Sequence, residues 1–297
     1  MSTLKIGYFA DGPWSHKALS KILADSSMSI EFICARSDNP DGVLRKEAEK
    51  YGLDFFFDKS INSETFRARV REYACDVFVS MSFNQIFGLD LISVPPLGVI
   101  NCHAGMLPFY RGRNVLNWAL INDEKEFGVT VHYVDTGIDT GDLILQRSFP
   151  ISDNDDYKSL LERAYVGCSE VLYDALLDVA GGRIVSVPQT SIHPFGFYCT
   201  KRIAGDERLN WSQSSREVFN FVRAVCAPGP QALTLLNGRE LKVNRVALLS
   251  DAPVFKGIPG AILSVGKSGF LVKTQDSFVK VLEWTCSVDP KVGDRLA

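Results

Sequence analysis

Through its first 180 residues the chain alternates short, nearly continuous apolar runs with amphipathic stretches, and few folds satisfy that pattern. Residues 4–9, 30–34, 54–57, 77–81 and 98–101 read as strands. Between them, helical spacing puts Ala18, Leu19, Ile22 and Leu23 on one face, and residues 43–51 and 64–73 read as charged helices. A strand that is apolar on both faces must be covered on both. That is the condition of a mostly parallel sheet with helices on either side. Residues 114–121 continue as a helix and residues 129–134 and 143–146 as strands. A long amphipathic run over 155–179 then stops at Gly181-Gly182. The expectation is an α/β catalytic domain over residues 1–186.

The pattern then changes. Residues 187–203 carry two prolines and no periodicity, which reads as a linker, and residues 204–297 form a second domain. After one helix at 215–226 come short alternating runs at 232–236, 241–248, 261–265, 270–273 and 279–284. The Asn237-Gly238 pair marks a tight hairpin, so a small β-barrel is expected. Charge divides with the domains: residues 1–200 hold 18 basic and 26 acidic side chains, a net of −8, and residues 201–297 hold 14 and 9, a net of +5. The whole chain, at −3, has no basic field that calls for nucleic acid or an anionic membrane. The second domain alone could meet an anion. Seven cysteines, scattered and without a Cys-x-x-Cys pair, fit a reducing cytoplasm better than a disulfide framework, and none has zinc-site spacing to a histidine. No leader-like or membrane-length apolar segment is expected.

Chemistry concentrates at strand ends. The first turn, Asp11-Gly12-Pro13-Trp14, lacks the Gly-x-Gly-x-x-Gly that brings backbone against a pyrophosphate, which argues against a dinucleotide enzyme. A turn and helix start explain Gly12 and Pro13 but not Trp14, at the carboxyl end of a strand where open α/β sheets bind ligands. Strand alternation puts Asn101 and His103 on one face, where an amide can meet an oxyanion and an imidazole can move a proton. The following loop carries Tyr110, Arg111 and Arg113 before a helix that begins near Asn114. Asp139 lies in a glycine-bearing turn with Asp135 and Asp142; it is either part of a polar hairpin loop or the carboxylate that orients His103. His16, His132 and His193 receive no catalytic role, and Trp118 reads as packing.

Taken together, Asn101-x-His103, Leu107-Pro-x-Tyr-Arg-Gly112, Asn117-Trp118-Ala and Ile138-Asp139-Thr-Gly141 resemble the signature of 10-formyltetrahydrofolate-dependent formyltransferases. Leu209-Asn-Trp211-Ser, Val222-Arg-Ala224 and Pro228-Gly-Pro230 extend the resemblance into the second domain. It implies a Rossmann-like N-terminal domain and an OB-like C-terminal barrel. The Arg113-Asn114-Val-Leu-Asn117-Trp118 string and the Asp11–Trp14 turn are most similar to the branch acting on nucleotide-linked amino sugars, for bacterial surface glycans.

The resemblance implies formyl transfer from N10-formyltetrahydrofolate to a substrate amine, with Asn101, His103 and Asp139 catalytic and no metal or covalent intermediate. It places the pterin near Met81, Ser82, Phe83, Ile138 and Asp139, although Met81 and Phe83 equally suit core packing at a strand end. Acceptor contacts are expected from Asp11, Gly12, Trp14, Tyr110, Arg111, Arg113, Asn114, Tyr198, Lys201 and Arg202; the last three equally suit a solvated linker. The expected partners are the folate and the nucleotide sugar, with no nucleic acid or membrane, in a homodimer. Methionyl-tRNA formylation, formyltetrahydrofolate hydrolysis and ligand binding without turnover are the rival readings.

Overall fold

A computed structural model of the protein describes residues 3–297. In chain order the elements are β1 (Leu4–Ala10), α1 (Gly12–Leu23), β2 (Met28–Cys34), α2 (Gly42–Tyr51), β3 (Asp54–Phe56), α3 (Glu64–Arg71), β4 (Val77–Met81) and α4 (Leu89–Ile92). Then follow β5 (Val99–His103), β6 (Arg111–Gly112), α5 (Val115–Ile121), β7 (Glu126–Tyr133), β8 (Leu143–Pro150), α6 (Tyr157–Ala180), α7 (Gln189–Ile192) and β9 (Tyr198–Cys199). The last group is α8 (Ser215–Val225), β10 (Ala232–Leu236), β11 (Arg239–Ala247), β12 (Ile262–Gly266), β13 (Gly269–Lys273) and β14 (Phe278–Cys286). Two compact units interleave along the chain: one holds residues 3–112, 127–149 and 162–199, the other residues 113–126, 150–161 and 200–297.

The first unit is built on a seven-stranded sheet of order β3-β2-β1-β4-β5-β7-β8. Strands β1 to β5 run parallel and β7 turns antiparallel to β5. After β3 the chain returns to the other side of β1 to lay down β4. This reversal of strand order opens a crevice at the strands' carboxyl ends. Asp11 is tied there, its amide donating to the Met81 carbonyl at 3.2 Å. Phe9 sits at the centre of one core layer, with Phe32, Phe66 and Phe87 around it edge-on and Phe78 tilted against it. Gly7 belongs to that packing: a Cβ there would stand 2.6 Å from the rings of both Phe32 and Phe78. Asp41 caps α2 by accepting from the amides of Val43 and Leu44, and Gly52, at φ 67°, ends it.

The stretch read as a linker is more structured than its composition suggests. Val187 exchanges both backbone hydrogen bonds with Leu143, and β9 pairs in parallel with β6. Residues through Cys199 therefore group with the first unit. Their elements are two and four residues long, too short to leave a periodic trace.

The second unit carries a five-stranded antiparallel sheet, β10-β11-β14-β13-β12. Leu296 bridges to Leu236 on β10, and Arg295 bridges to Ala261 just before β12, so the chain's last residues join the two edges. That removes the free edges and gives the sheet its barrel character. Asn237 and Gly238, at φ 50° and 74°, make the two-residue turn expected between β10 and β11. Alternate residues Ala232, Thr234 and Leu236 point inward, joined by Leu241, Val243, Phe270, Val272, Val279 and Val281. Helix α8 packs on β11 and on α5. Ser214 and Glu217 cap its start reciprocally.

Among the described residues no helix is long and apolar enough to cross a membrane, and no group of three or more His, Cys, Asp or Glu could hold a metal ion. All seven cysteines are free thiols.

Candidate active site

The register between β5 and β7 places Asn101 opposite His132 and His103 opposite Thr130. Residues directly opposed across an antiparallel ladder share a face, so two histidines, an asparagine and a threonine gather on one side of the sheet. His132, expected to be an ordinary strand or surface residue, is 2% exposed and its Nε2 lies 3.1 Å from the Asn101 amide nitrogen. Sequence reasoning gave His132 no catalytic role; the structure places it against Asn101.

Main-chain carbonyls fix the imidazoles. His103 Nε2 lies 2.7 Å from the Tyr110 carbonyl, and His132 Nδ1 lies 2.7 Å from the Tyr133 carbonyl. A carbonyl only accepts, so each of these nitrogens carries its proton. In neutral His103 the basic nitrogen is then Nδ1, which faces Asp139 Oδ2 at 3.7 Å. In neutral His132 it is Nε2, which accepts one amide hydrogen of Asn101 and leaves the second free. Asp139 Oδ1 stands 3.5 Å from the same His132 nitrogen. Gly105 makes room for this arrangement, because a Cβ there would come within 2.4 Å of His103 Nε2 and 2.5 Å of the Tyr110 oxygen.

Asp139 sits in the left-handed region at φ 55°, and its Oδ2 accepts from the Gly112 amide at 2.8 Å. Burial alone pushes this carboxyl up, but when the imidazoles are protonated the charge of His103, the bond and charge of His132 and the Gly112 amide outweigh it, holding the group well below the usual carboxylate range. It is a fixed anion among histidines. Thr130 donates to the Gly105 carbonyl at 2.7 Å and receives Gln146 Nε2 at 2.8 Å, so its hydroxyl is engaged in structure. Cys102, between Asn101 and His103, faces the other way and donates to the Cys168 carbonyl. Its contact with the Cys168 thiol, then burial, hold its thiol well above the ordinary value. The cluster therefore offers acid–base and oxyanion chemistry but no ready nucleophile.

Of the residues expected around the folate, Ser82 is exposed at φ 58° and Ile138 is 53% exposed beside Asp139. Met81 is buried, its sulfur accepting from the Tyr8 hydroxyl, and Phe83 packs on Phe9 and Phe87. Core packing accounts for both of these side chains.

Of the expected acceptor contacts in the first unit, Asp11 lies 3.5 Å from Arg36, and burial, only partly offset by that guanidinium, raises its carboxyl. The Gly12 amide at the start of α1 already donates to Asp41 Oδ2 at 2.9 Å, an internal anion that His16 also holds. Trp14 packs edge-on against Tyr165, and Tyr110 turns its ring inward against Phe197. Arg111 lies over the exposed ring of Tyr198 and binds Gln189, which sequence reasoning had left in a linker. In the second unit Arg113 and Lys201 are exposed, and the Arg202 amide donates to Asn114 Oδ1 at 2.9 Å. The Arg202 guanidinium reaches the Asp206 carbonyl and lies over Phe221.

An open, mostly parallel sheet on which imidazole, carboxylate and amide converge is an arrangement suited to a group-transfer or hydrolytic enzyme. Residues 6–176 match the family Formyl transferase and residues 203–287 match Formyl transferase, C-terminal domain. The chain belongs to this family and is a formyl-transferring enzyme. It is 37% identical over 280 residues to a methionyl-tRNA formyltransferase of Geobacter sulfurreducens, covering 92% of this chain and 86% of that one. Its fold resembles WlaRD, a sugar 3N-formyl transferase crystallised in the presence of dTDP and 5-N-formyl-THF, with a TM-score of 0.71, 18% identity and coverage of 98% and 100% of the two chains. It also resembles an N-formyltransferase from Helicobacter canadensis in complex with folinic acid and dTDP-3-aminofucose, with a TM-score of 0.68, 18% identity and coverage of 95% and 100%.

Proposed function

We propose that the protein transfers a formyl group from N10-formyltetrahydrofolate to the amino group of a nucleotide-linked amino sugar. The folate, when bound, supplies a formyl group activated on nitrogen. The site fits such a donor: with the Cys102 thiol turned away and the Thr130 hydroxyl engaged, direct transfer to an amine needs only the polar groups present. Exposed Ser82 and Ile138 suit the face of a planar heterocycle.

The protein's part in the reaction is positional and protonic. The free amide hydrogen of Asn101 is aimed to stabilise negative charge as it develops on the formyl oxygen. His103 Nδ1 takes the proton the amine sheds on attack, and the imidazolium that results faces the Asp139 carboxylate. The same proton can then pass to the departing nitrogen. His132 holds the Asn101 amide in the orientation this requires.

The acceptor class rests on one observation, the state of the charged residues in the stretch 36–46 that follows β2 and enters α2. Arg36 is occupied by Asp38 at 2.7 Å and by Asp11 at 3.5 Å, and Arg45 lies over the rings of Phe55 and Phe57. In this short stretch Asp38 and Asp41, with Asp11 beside them, offset Arg36, Arg45 and Lys46, so it carries no net basic footprint, which suits a compact acceptor better than a polyphosphate backbone. A second reading, methionyl-tRNA as acceptor, is favoured by the 37% identity to the Geobacter enzyme. Incubation with N10-formyltetrahydrofolate and a panel of nucleotide-linked amino sugars, alongside methionyl-tRNA, tests the choice by mass spectrometry. The expected outcome is one formyl group gained by a nucleotide sugar. A higher kcat/KM for methionyl-tRNA than for any sugar would sink the proposal.

A further inference from the structure

We propose that Gln189 is a positioning residue that fixes both the turn carrying Asp139 and the guanidinium of Arg111. Its side chain is 3% exposed and all its polar capacity is engaged. The amide nitrogen donates to the carbonyls of Asp139 at 2.9 Å and Gly141 at 2.8 Å. The amide oxygen accepts from Arg111 Nε at 3.1 Å and Nη2 at 2.6 Å. Two hydrogens and two lone pairs are the whole inventory of a carboxamide.

Glutamine suits this position because the two neighbours make opposite demands. The Asp139 turn presents two acceptors, which only a donor can satisfy. The guanidinium presents donors, which only an acceptor can satisfy. A glutamate would set a carboxylate against two carbonyl oxygens, and a lysine would set an ammonium against a guanidinium. The φ of 55° at Asp139 is a conformation its surroundings must impose on a residue other than glycine. Gln189 grips the chain at that residue and again two residues on. Neutrality matters equally on the other side. Among the described residues Arg111 has no carboxylate partner, so the clamp fixes its direction without cancelling its charge, leaving the cation for an anionic acceptor.

The inference rests on Asp139 and Arg111 serving the reaction as assigned above, and its first test needs no substrate. The Gly112 amide, which donates to Asp139 Oδ2, reports whether the carboxylate stays in place. In Gln189→Glu, which keeps the acceptor for Arg111 and loses both donors, hydrogen exchange at Gly112 should accelerate about tenfold, while amides of β1 and β4 keep their wild-type protection. The near-isosteric Gln189→Met should do the same. Unchanged exchange at Gly112, or acceleration spread evenly over β1 and β4, overturns the proposal. In the transfer assay kcat should fall by about 10- to 100-fold, as displaced catalytic groups do. Combining Gln189→Glu with Asp139→Asn should cost no more in kcat than Asp139→Asn alone, any further rise in KM reporting the carboxylate set against Arg111. Fully additive losses in kcat would show that Gln189 does not act through Asp139.

Discussion

At the scale of single residues, the carbonyl of Tyr110 rather than the carboxylate of Asp139 sets the direction of the His103 imidazole. With His103 Nε2 committed to that carbonyl, the proton-accepting nitrogen is the one facing Asp139, so the carboxylate meets charge as it forms. Replacement of Asp139 by asparagine separates the two roles, because asparagine tolerates the left-handed backbone and leaves the Tyr110 contact intact. The Asp139→Asn variant should bind acceptor with a near-normal KM and lose about 10²- to 10⁴-fold in kcat, the range of general acid–base catalysis. Retention of most of the wild-type rate would contradict the mechanism. The same substitution has a signature in stability. The native carboxyl lies below its unfolded value, near 3.9, so its ionised form adds stability that is fully present above that value and is lost as pH falls toward the native one. Urea midpoints of the wild type should therefore drop more steeply below about pH 5 than those of Asp139→Asn, and parallel curves would refute this.

At the scale of elements, what could be read in the sequence divides by whether periodicity carries it. The parallel strands, the Asn237-Gly238 hairpin and the shared face of Asn101 and His103 each follow from local rules, and the structure has all three. His132 was missed although β7 alternates Val129, Thr130, Val131, His132, with its polar residues on one face. That alternation shows a polar face but not which strand it meets, and only the register opposite Asn101 brings His132 into the site. Gln189 was missed for a different reason: α7 and β9 are held by what they pair with, which composition does not reveal. Helix α8 lies at the legible extreme, since Ser214 and Glu217 stand three apart ahead of an apolar face and form the reciprocal cap in the structure. The Ser214→Ala variant should lose about 0.5–2 kcal/mol in urea denaturation with the m-value unchanged. A loss within error of zero would mean that α8 is held by packing alone.

At the scale of the whole molecule, the charge split changes meaning once the residues are placed. A net of −8 over residues 1–200 and +5 beyond them first suggests a basic domain awaiting a polyanion. Yet several basic side chains of the second unit are spent internally. Arg216 pairs with Asp123 and Asp153, the buried Arg223 lies 3.5 Å from Asp123, and Arg245 pairs with Glu283 at 2.9 Å. In the first unit Arg36 and Arg147 are likewise taken up by carboxylates, whereas Arg111 is held by a neutral amide. A cation left uncompensated beside the candidate site suits a ligand with one or two phosphates. Salt distinguishes that from a nucleic acid, because each phosphate contact with a polyanion releases condensed counterions and a small ligand has few to release. A tRNA reader with six to ten such contacts would lose about 10³- to 10⁵-fold in affinity between 50 and 200 mM salt. Over the same range the KM for a nucleotide-linked amino sugar should rise by no more than about fivefold, as screening of one or two charge pairs allows. A fall in acceptor affinity of a thousandfold or more would return the positive charge of residues 201–297 to an RNA-binding role and give methionyl-tRNA the better claim.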